Sequence, residues 1–360
     1  MNVERLHRIL IDLDEDLRTK DIVTLLQQVR DHLQNQVNQP NQPSHQTNLV
    51  NSLKNLYSAL ESSKYNDFSP SWKEIISEIS GEIEFGIPLK EKIENILATN
   101  SITPANALEE IKNIFTDLQD FQTAIKNTLT GFEALGIEKE DLDAGQCELG
   151  YIIPRAFIDN KLSELKNEIS ELNFILNNLS EAVTGEKQEH KVKTISSSDF
   201  LLYVIIGLQV ADVLASATER ILNTYKSILE IKQLRTQLKD KGIPASKTKS
   251  IETHVNGMMK NEIKEIVKEV MEEHYNGDDG RKNELENGLT ISLNKLANRI
   301  DKGFKVEIRV EPLPEPEEEE EPTGDYHKNA EIVKSIQESA RKIEFLDAGG
   351  ESILELPEKK

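Results

Sequence analysis

The most regular feature of this sequence is a run of aliphatic residues spaced alternately by four and three positions. The run continues for nearly four heptads and stops before Gly185; its members are Ile158, Leu162, Leu165, Ile169, Leu172, Leu176, Leu179 and Val183. Such spacing places every member on one side of an α-helix, and glycine commonly ends a helix. The run therefore predicts a long helix with an apolar seam, packed either against another chain in a coiled coil or against helices of its own chain.

Apolar stripes with helical spacing also occupy most of the remaining sequence. They predict helices near residues 3–17, 21–33, 49–60, 70–76, 104–136, 199–242, 247–275 and 283–303. Ser69-Pro70 and Thr103-Pro104 are typical beginnings of a helix, because proline is favoured in the first turn. The predicted fold class is therefore mainly α, an elongated multi-helix bundle with long coiled-coil-like helices, two short strands in the middle and a small α/β C-terminal module.

The strand predictions come from three short segments. CELGYIIPR and HKVKTISSS flank the heptad run and predict two short strands that pair with each other, while FKVEIRV alternates apolar and polar residues. The acidic Pro/Glu segment over residues 311–324 predicts an extended linker. A helix near residues 329–341 and two strands in KIEFLDAGGESILEL would complete a β-α-β-β module. The alternative is a tethered peptide that folds only on a partner.

These boundaries divide the chain into three predicted regions. They are an N-terminal helical region over residues 1–136, a central long-helix bundle over 137–303 and the C-terminal module over 304–360. A chain of 360 residues is long enough for roughly two to three domains of the usual size.

Charge and cysteine content exclude several classes of function. The formal net charge is -21, which argues against general nucleic-acid binding because that affinity depends on neutralising phosphates. Cys147 is the only cysteine, so the chain forms no intramolecular disulfide and is predicted to carry a buried structural thiol. The charged start MNVERLHRILIDLDEDLRTK does not resemble a secretory signal peptide, and a cytoplasmic location is predicted.

Motifs for catalysis or cofactor binding are not recognisable. The sequence contains no GxxxxGK[ST], HExxH or GxSxG, and its histidines are scattered. NGDDGRKNELE superficially resembles a calcium loop, but its acidic residues do not follow the EF-hand order and a turn between helices explains them. We therefore predict no enzymatic activity, no cofactor, no metal site and no small-molecule substrate.

The most apolar segment is DFLLYVIIGLQVADVLASATER, residues 199–220, which is predicted to be helical. Asp212 lies within it, and an acidic residue at the bilayer centre costs about 2.5 to 3.5 kcal/mol, which argues against a permanent span. The favoured interpretation buries this helix at the centre of the bundle. The alternative is a helix over residues 200–217 that enters a membrane when triggered; its lipid-contacting residues would be Phe200, Val204, Ile205 and Leu208.

A resemblance covers the middle third of the chain. IIPRAFIDNKLSEL, the heptad run, TGEKQEHKVKTISSSD and the apolar segment together resemble an uncharacterised family of bacterial helical proteins. The shared block contains no catalytic motif. The resemblance implies a prokaryotic origin and no particular chemistry.

The functional prediction is a non-catalytic interaction, scaffold or regulatory protein within a larger assembly, acting through a protein partner or self-association. The contact candidates are Ile158, Leu165, Leu172 and Leu179 in the heptad run, with Phe345 and Leu354 in the tail. The second class is a helical-bundle effector that reaches the membrane only conditionally. The third is an enzyme whose motif is not recognised.

Overall fold

A computed structural model describes residues 2–196, 200–242, 249–275, 277, 279–314, 324–347 and 352–359. Across these ranges the chain is 71% helical, with 12 α-helices and one small four-stranded antiparallel sheet. The mainly-α prediction is confirmed. The chain divides into two compact units, Met1–Asp141 and Leu142–Lys360.

The first unit is helical. Its elements are α1 (Val3–Thr19), α2 (Ile22–Asn38), α3 (Pro43–Glu61), a 3-10 turn (Lys64–Asp67), α4 (Pro70–Ser80), α5 (Gly86–Thr99) and α6 (Pro104–Ala134). The predicted stripes form its core, since residues such as Leu13, Leu26 and Ile111 are fully buried. The buried carboxylate of Asp16 ties α1 to the 3-10 turn by accepting hydrogen bonds from Ser63 Oγ and from the Lys64 amide.

The second unit combines the sheet with the longer helices. Its elements are β1 (Cys147–Ile153), α7 (Arg155–Ile158), α8 (Leu162–Thr184), β2 (Lys191–Ser196), β3 (Phe200–Ile206), α9 (Leu208–Asp240), α10 (Lys249–Glu273), α11 (Asp279–Asp301), β4 (Lys305–Val310) and α12 (Gly324–Ala340). Gly185 follows α8 with φ of 82°, a left-handed conformation that glycine adopts without strain, and it ends the helix where the sequence predicted.

The sheet corrects two predictions made from the sequence. Its order is β2-β3-β1-β4, so β1 and β2 are both strands but do not pair, because β3 lies between them. Residues 200–206 were predicted as the first half of an apolar helix and are instead strand β3. An unbroken apolar run does not distinguish a buried helix from a strand, and β3 accommodates it because consecutive residues, which point to opposite faces of the sheet, are all buried or half-buried.

The C-terminal region also differs from the predicted β-α-β-β module. Strand β4 pairs with β1 in the central sheet, where Ile308 lies opposite Leu149, and the described residues that follow α12 contain no strand. The physical reason is that Val306, Ile308 and Val310 share the core face of β1. The helix predicted near 329–341 is α12, whereas the acidic run Glu315–Glu321 and the turn at 348–350 lie outside the described residues.

Helix α11 lies at the centre of the second unit. Every residue from Ile291 to Asp301 is buried, and α8, α9 and α10 all contact this helix. A helix that is covered on all sides normally carries apolar residues around its whole circumference. The second half of α11 does not, and its polar side chains form the site described next.

Candidate functional site

The polar residues of α11 are the unusual feature of the second unit. Asn294, Lys295, Asn298, Arg299 and Asp301 are all buried within two turns of one helix. Buried polar groups require hydrogen-bond partners, so their partners indicate what the helix is built to hold. Most of these partners belong to residues 352–359, which we call the C-terminal segment.

Asp301 binds the main chain at the start of the C-terminal segment. Its Oδ2 atom accepts hydrogen bonds from the amides of Ile353 and Leu354, at 2.6 and 2.8 Å. Its Oδ1 atom accepts one from Tyr225 Oη at 2.6 Å and lies 3.4 Å from Lys232 Nζ. The carboxylate is fully buried and faces donors on both oxygens, which satisfies its charge inside the protein.

Asn298 binds the next part of the segment through both ends of its side-chain amide. Nδ2 donates to the Leu356 carbonyl oxygen at 3.0 Å, and Oδ1 accepts from the Leu356 amide at 3.1 Å. Asn294 Nδ2 donates to the Pro357 carbonyl, and Asn256 Oδ1 on α10 accepts from the Glu355 amide, both at 2.8 Å. Successive main-chain groups are therefore held by side chains of α10 and α11.

The side chains of the C-terminal segment divide between the core and the solvent. Ile353, Leu354 and Leu356 are each at most 4% exposed and belong to the same apolar cluster as α9, α10 and α11. Ser352, Glu355 and Pro357 are exposed. Main-chain hydrogen bonds with alternating side-chain pockets are the means by which proteins recognise extended peptides. We call this surface of α9, α10 and α11 the C-terminal groove.

Positively charged side chains line the end of the groove. Glu358 accepts a hydrogen bond from Asn298 Nδ2 at 2.7 Å, and its other oxygen lies 3.5 Å from Arg299 and 3.8 Å from Lys295. Glu168 of α8 holds Arg299 by two hydrogen bonds, at 2.7 and 3.1 Å. A bidentate arginine pair fixes the guanidinium, so the donors that face Glu358 are positioned in advance.

The buried environment changes the pKa values of groups around the groove. Burial, together with the hydrogen bond to Asp301, raises the pKa of Tyr225 well above its ordinary value, so the phenol remains a donor to that carboxylate. For Arg299, burial is the largest single influence and lowers the pKa, but the hydrogen bonds that the guanidinium donates to Glu168 and the electrostatic influence of Tyr151, Glu168 and Glu358 together outweigh it, and the pKa is raised. Both groups keep the protonation state in which they donate hydrogen bonds to their partners.

The heptad candidates for partner contact pack within their own unit. The run is not one helix as predicted: Ile158 is the last residue of α7, Asp159 and Asn160 adopt left-handed backbone conformations, and α8 begins at Leu162. Ile158 is buried in the core of the second unit; Leu172 and Leu179 are buried and Leu165 is half-buried, because α8 contacts α9 and α11 of the same chain. Two members of the run are exposed, Leu162 by 81% and Ile169 by 38%.

The tail and membrane candidates occupy different places. Leu354 lies in the C-terminal groove, whereas Phe345 is half-buried beside Lys305 Nζ, 4.7 Å from the ring centroid. Phe200, Val204 and Ile205 lie in strand β3, and Leu208 is the first residue of α9. Among the described residues, no helix combines the length and apolarity needed to cross a bilayer.

The groove residues were missed in the sequence, although a signal was present. Asn294, Asn298 and Asp301 are spaced by four and three positions, the same spacing that identified the apolar seams. Polar stripes with this spacing usually indicate a solvated helix face, so the spacing alone does not point to a buried site. Its partner sequence, ILELPE, lies more than fifty residues further along the chain, and no local pattern connects the two.

The chemistry of the groove is that of recognition. Its polar atoms hold main-chain amides, carbonyls and one carboxylate, and the described residues contain no group of three or more His, Cys, Asp or Glu placed to hold a metal ion.

Cys147 is buried in β1, and burial, with a smaller contribution from Asp212, raises its thiol pKa to about 12. The chain matches none of the protein-family models, curated proteins or solved structures with which it was compared.

Proposed function

We propose that this protein is a non-catalytic interaction protein, with a scaffold or regulatory role in a larger assembly, and that the C-terminal groove is its contact site. The observation that supports the proposal is the capture of an extended segment by its main chain. Asp301 and Asn298 together bind three main-chain amides of the segment, those of residues 353, 354 and 356, and the carbonyl of residue 356. Contacts of this kind depend little on side-chain identity and suit a site that receives peptides.

An interaction role suits the groove better than catalysis does. Catalytic acids and bases must reach a substrate, usually in a concave site that admits it. Here both oxygens of Asp301 and both ends of the Asn298 amide are engaged with the protein's own chain. These side chains position a peptide and have no free atom directed at a reacting group.

The proposed partner is another protein or a second copy of this chain, in the cytoplasm. The net charge of -21 disfavours nucleic acid as the partner. The membrane alternative depended on a helix over residues 200–217, and the first seven of those residues form strand β3. We therefore do not carry the membrane function forward.

The test uses the full chain with its own segment displaced. In the open-groove variant, Leu354→Asp and Leu356→Asp place carboxylates in two apolar pockets, which should release the segment. Random peptides displayed on phage are selected against this variant. The same selection is run with Asn298→Ala added and, as a matched control, with Asn287→Ala, an exposed asparagine on the same helix.

Groove-mediated binding predicts peptides that are enriched on the open-groove variant and on its Asn287→Ala derivative but are lost with Asn298→Ala. Equal enrichment on all three proteins, or none above the wild-type background, would contradict the proposal.

A further inference from the structure

We propose that the C-terminal groove takes extended peptides with the six-residue pattern aliphatic, aliphatic, any, aliphatic, any, carboxylate, which is the pattern of residues 353–358 of this chain. We further infer that residues 352–359 are a built-in competitor for such ligands. The inference rests on the proposed function of the groove and adds the chemistry of its ligand and the way binding is regulated.

The spacing of the main-chain contacts selects an extended ligand. From Asp301 back to Asn294 is seven residues of helix, about 10 Å at 1.5 Å per residue. The bound segment advances four residues over the same stretch, from Ile353 to Pro357. Four extended residues span about 13 Å, whereas four helical residues span about 6 Å. The ligand therefore runs antiparallel to α11 in a nearly extended conformation.

The burial pattern defines which ligand positions must be apolar. Ile353, Leu354 and Leu356 are buried, whereas Glu355 between them is exposed. A groove that covers both sides of the chain explains why neighbouring residues 353 and 354 are buried together. Position 355 is free to vary, because its amide is bound by Asn256 but its side chain points to solvent.

The charged end of the groove defines the last ligand position. Glu358 meets three donors, from Asn298, Arg299 and Lys295. The side chains of Arg299 and Lys295 are at most 8% exposed and also pair with Glu168 and Glu171 of α8, while Glu358 itself is 28% exposed. A ligand with lysine at this position would lose the contacts to both cations and place a like charge beside them. A carboxylate is the side chain that this end accepts.

The chain's own segment already satisfies every one of these positions. A ligand carried on the same chain competes with free peptides at an effective concentration on the order of millimolar. An incoming peptide must therefore displace the segment, and its apparent affinity is lower for the wild-type protein than for a chain whose segment is released. The occupied groove is then a closed state that a strong or abundant partner opens.

The experiment measures binding of a fluorescein-labelled peptide that copies Ser352–Lys360 to full-length proteins by fluorescence anisotropy. We expect the open-groove variant to bind this peptide at least tenfold more tightly than the wild type. On the open-groove variant, the peptide with Glu358→Lys should bind at least tenfold more weakly. The peptide with Glu355→Lys, a change of the same charge at an exposed position, should bind within twofold of the original.

A second variant replaces the open-groove variant if that protein does not fold. Leu354→Ser with Leu356→Ser releases the segment with less disturbance, and circular dichroism decides which variant is measured. Equal affinity for wild type and the released variant would overturn the competitor role. Equal affinity for the two lysine peptides would overturn the ligand class. Failure of every copied peptide, while phage-selected peptides still bind, would overturn this inference and leave the proposed function standing.

Discussion

At the scale of single residues, Asp301 connects the helices to the C-terminal segment. One of its oxygens faces Tyr225 and Lys232 on α9, and the other binds two amides of the segment. An asparagine in its place keeps the size but removes the charge. Whichever way its amide is turned, the NH2 group faces hydrogen-bond donors on one of the two sides. The buried charge of Lys232 then loses this partner.

We predict that Asp301→Asn lowers the free energy of unfolding by about 3 kcal/mol, the lower end for breaking a buried ion pair. Urea denaturation measures the loss. Lys232→Met in both backgrounds completes a double-mutant cycle, which should show that the two changes are not additive. A loss below about 1 kcal/mol would mean that Asp301 does not hold the segment as described.

His190 provides a pH dependence whose sign follows from its burial. Its Nε2 atom lies 3.4 Å from Ser180 Oγ, and burial lowers the pKa of the imidazole in the folded protein. The unfolded chain therefore binds a proton more readily, starting near the ordinary histidine pKa of about 6.5. The contribution is absent above that pH, and the folded state loses stability as the pH falls below it.

We predict that the wild type loses more stability between pH 7 and pH 5 than His190→Gln does. Urea denaturation at several pH values, on both proteins, measures the difference. The same pH slope in both would show that His190 is not shielded from protonation in the folded state.

At the scale of elements, Gly150 of β1 leaves room for side chains of the two neighbouring strands, β3 and β4. It pairs with Tyr203 of β3 and with Glu307 of β4. A Cβ atom at this position would lie 2.7 Å from Glu307 Cγ and 3.1 Å from the Tyr203 ring. Both side chains are buried, so neither can move aside into solvent.

We predict that Gly150→Ala destabilises the protein by about 1 to 3 kcal/mol, the cost of overpacking a dense interior. Gly257→Ala in α10 is the matched control: nothing lies within 4 Å of its added Cβ, and alanine favours a helix by up to about 1 kcal/mol. Thermal melts of both variants should therefore shift in opposite directions. A shift of the same sign and size would remove the packing explanation.

The elements also show how far the sequence could be interpreted. Periodicity located α8 and its end at Gly185, because the helical repeat is a local property, but it did not reveal the break at Asp159 and Asn160, since Ile158 keeps the spacing of the run across it. It failed for Phe200–Ile206, where seven apolar residues carry no period and the strands on either side decide the conformation. It also failed for Ile353–Leu356, which looked like a hairpin strand although side chains of α10 and α11 bind its main chain.

At the scale of the molecule, the chain forms two compact units, and all contacts of the C-terminal groove lie within the second. The sequence predicted the mainly-α class because helical stripes are frequent along the chain. It did not predict the groove, since the groove joins residues 294–301 to residues 353–358, which are distant in sequence. Long-range pairing of this kind depends on the folded arrangement of several helices and leaves no local pattern.

Hydrogen exchange of the full chain tests the central claim most directly. The amides of Ile353 and Leu354 donate to Asp301, and the amide of Leu356 donates to Asn298, in buried positions. We predict that these three amides exchange at least about 100-fold more slowly than in the free peptide of the same sequence. Exchange of all three at the free-peptide rate would show that the segment does not occupy the groove, and would contradict the site.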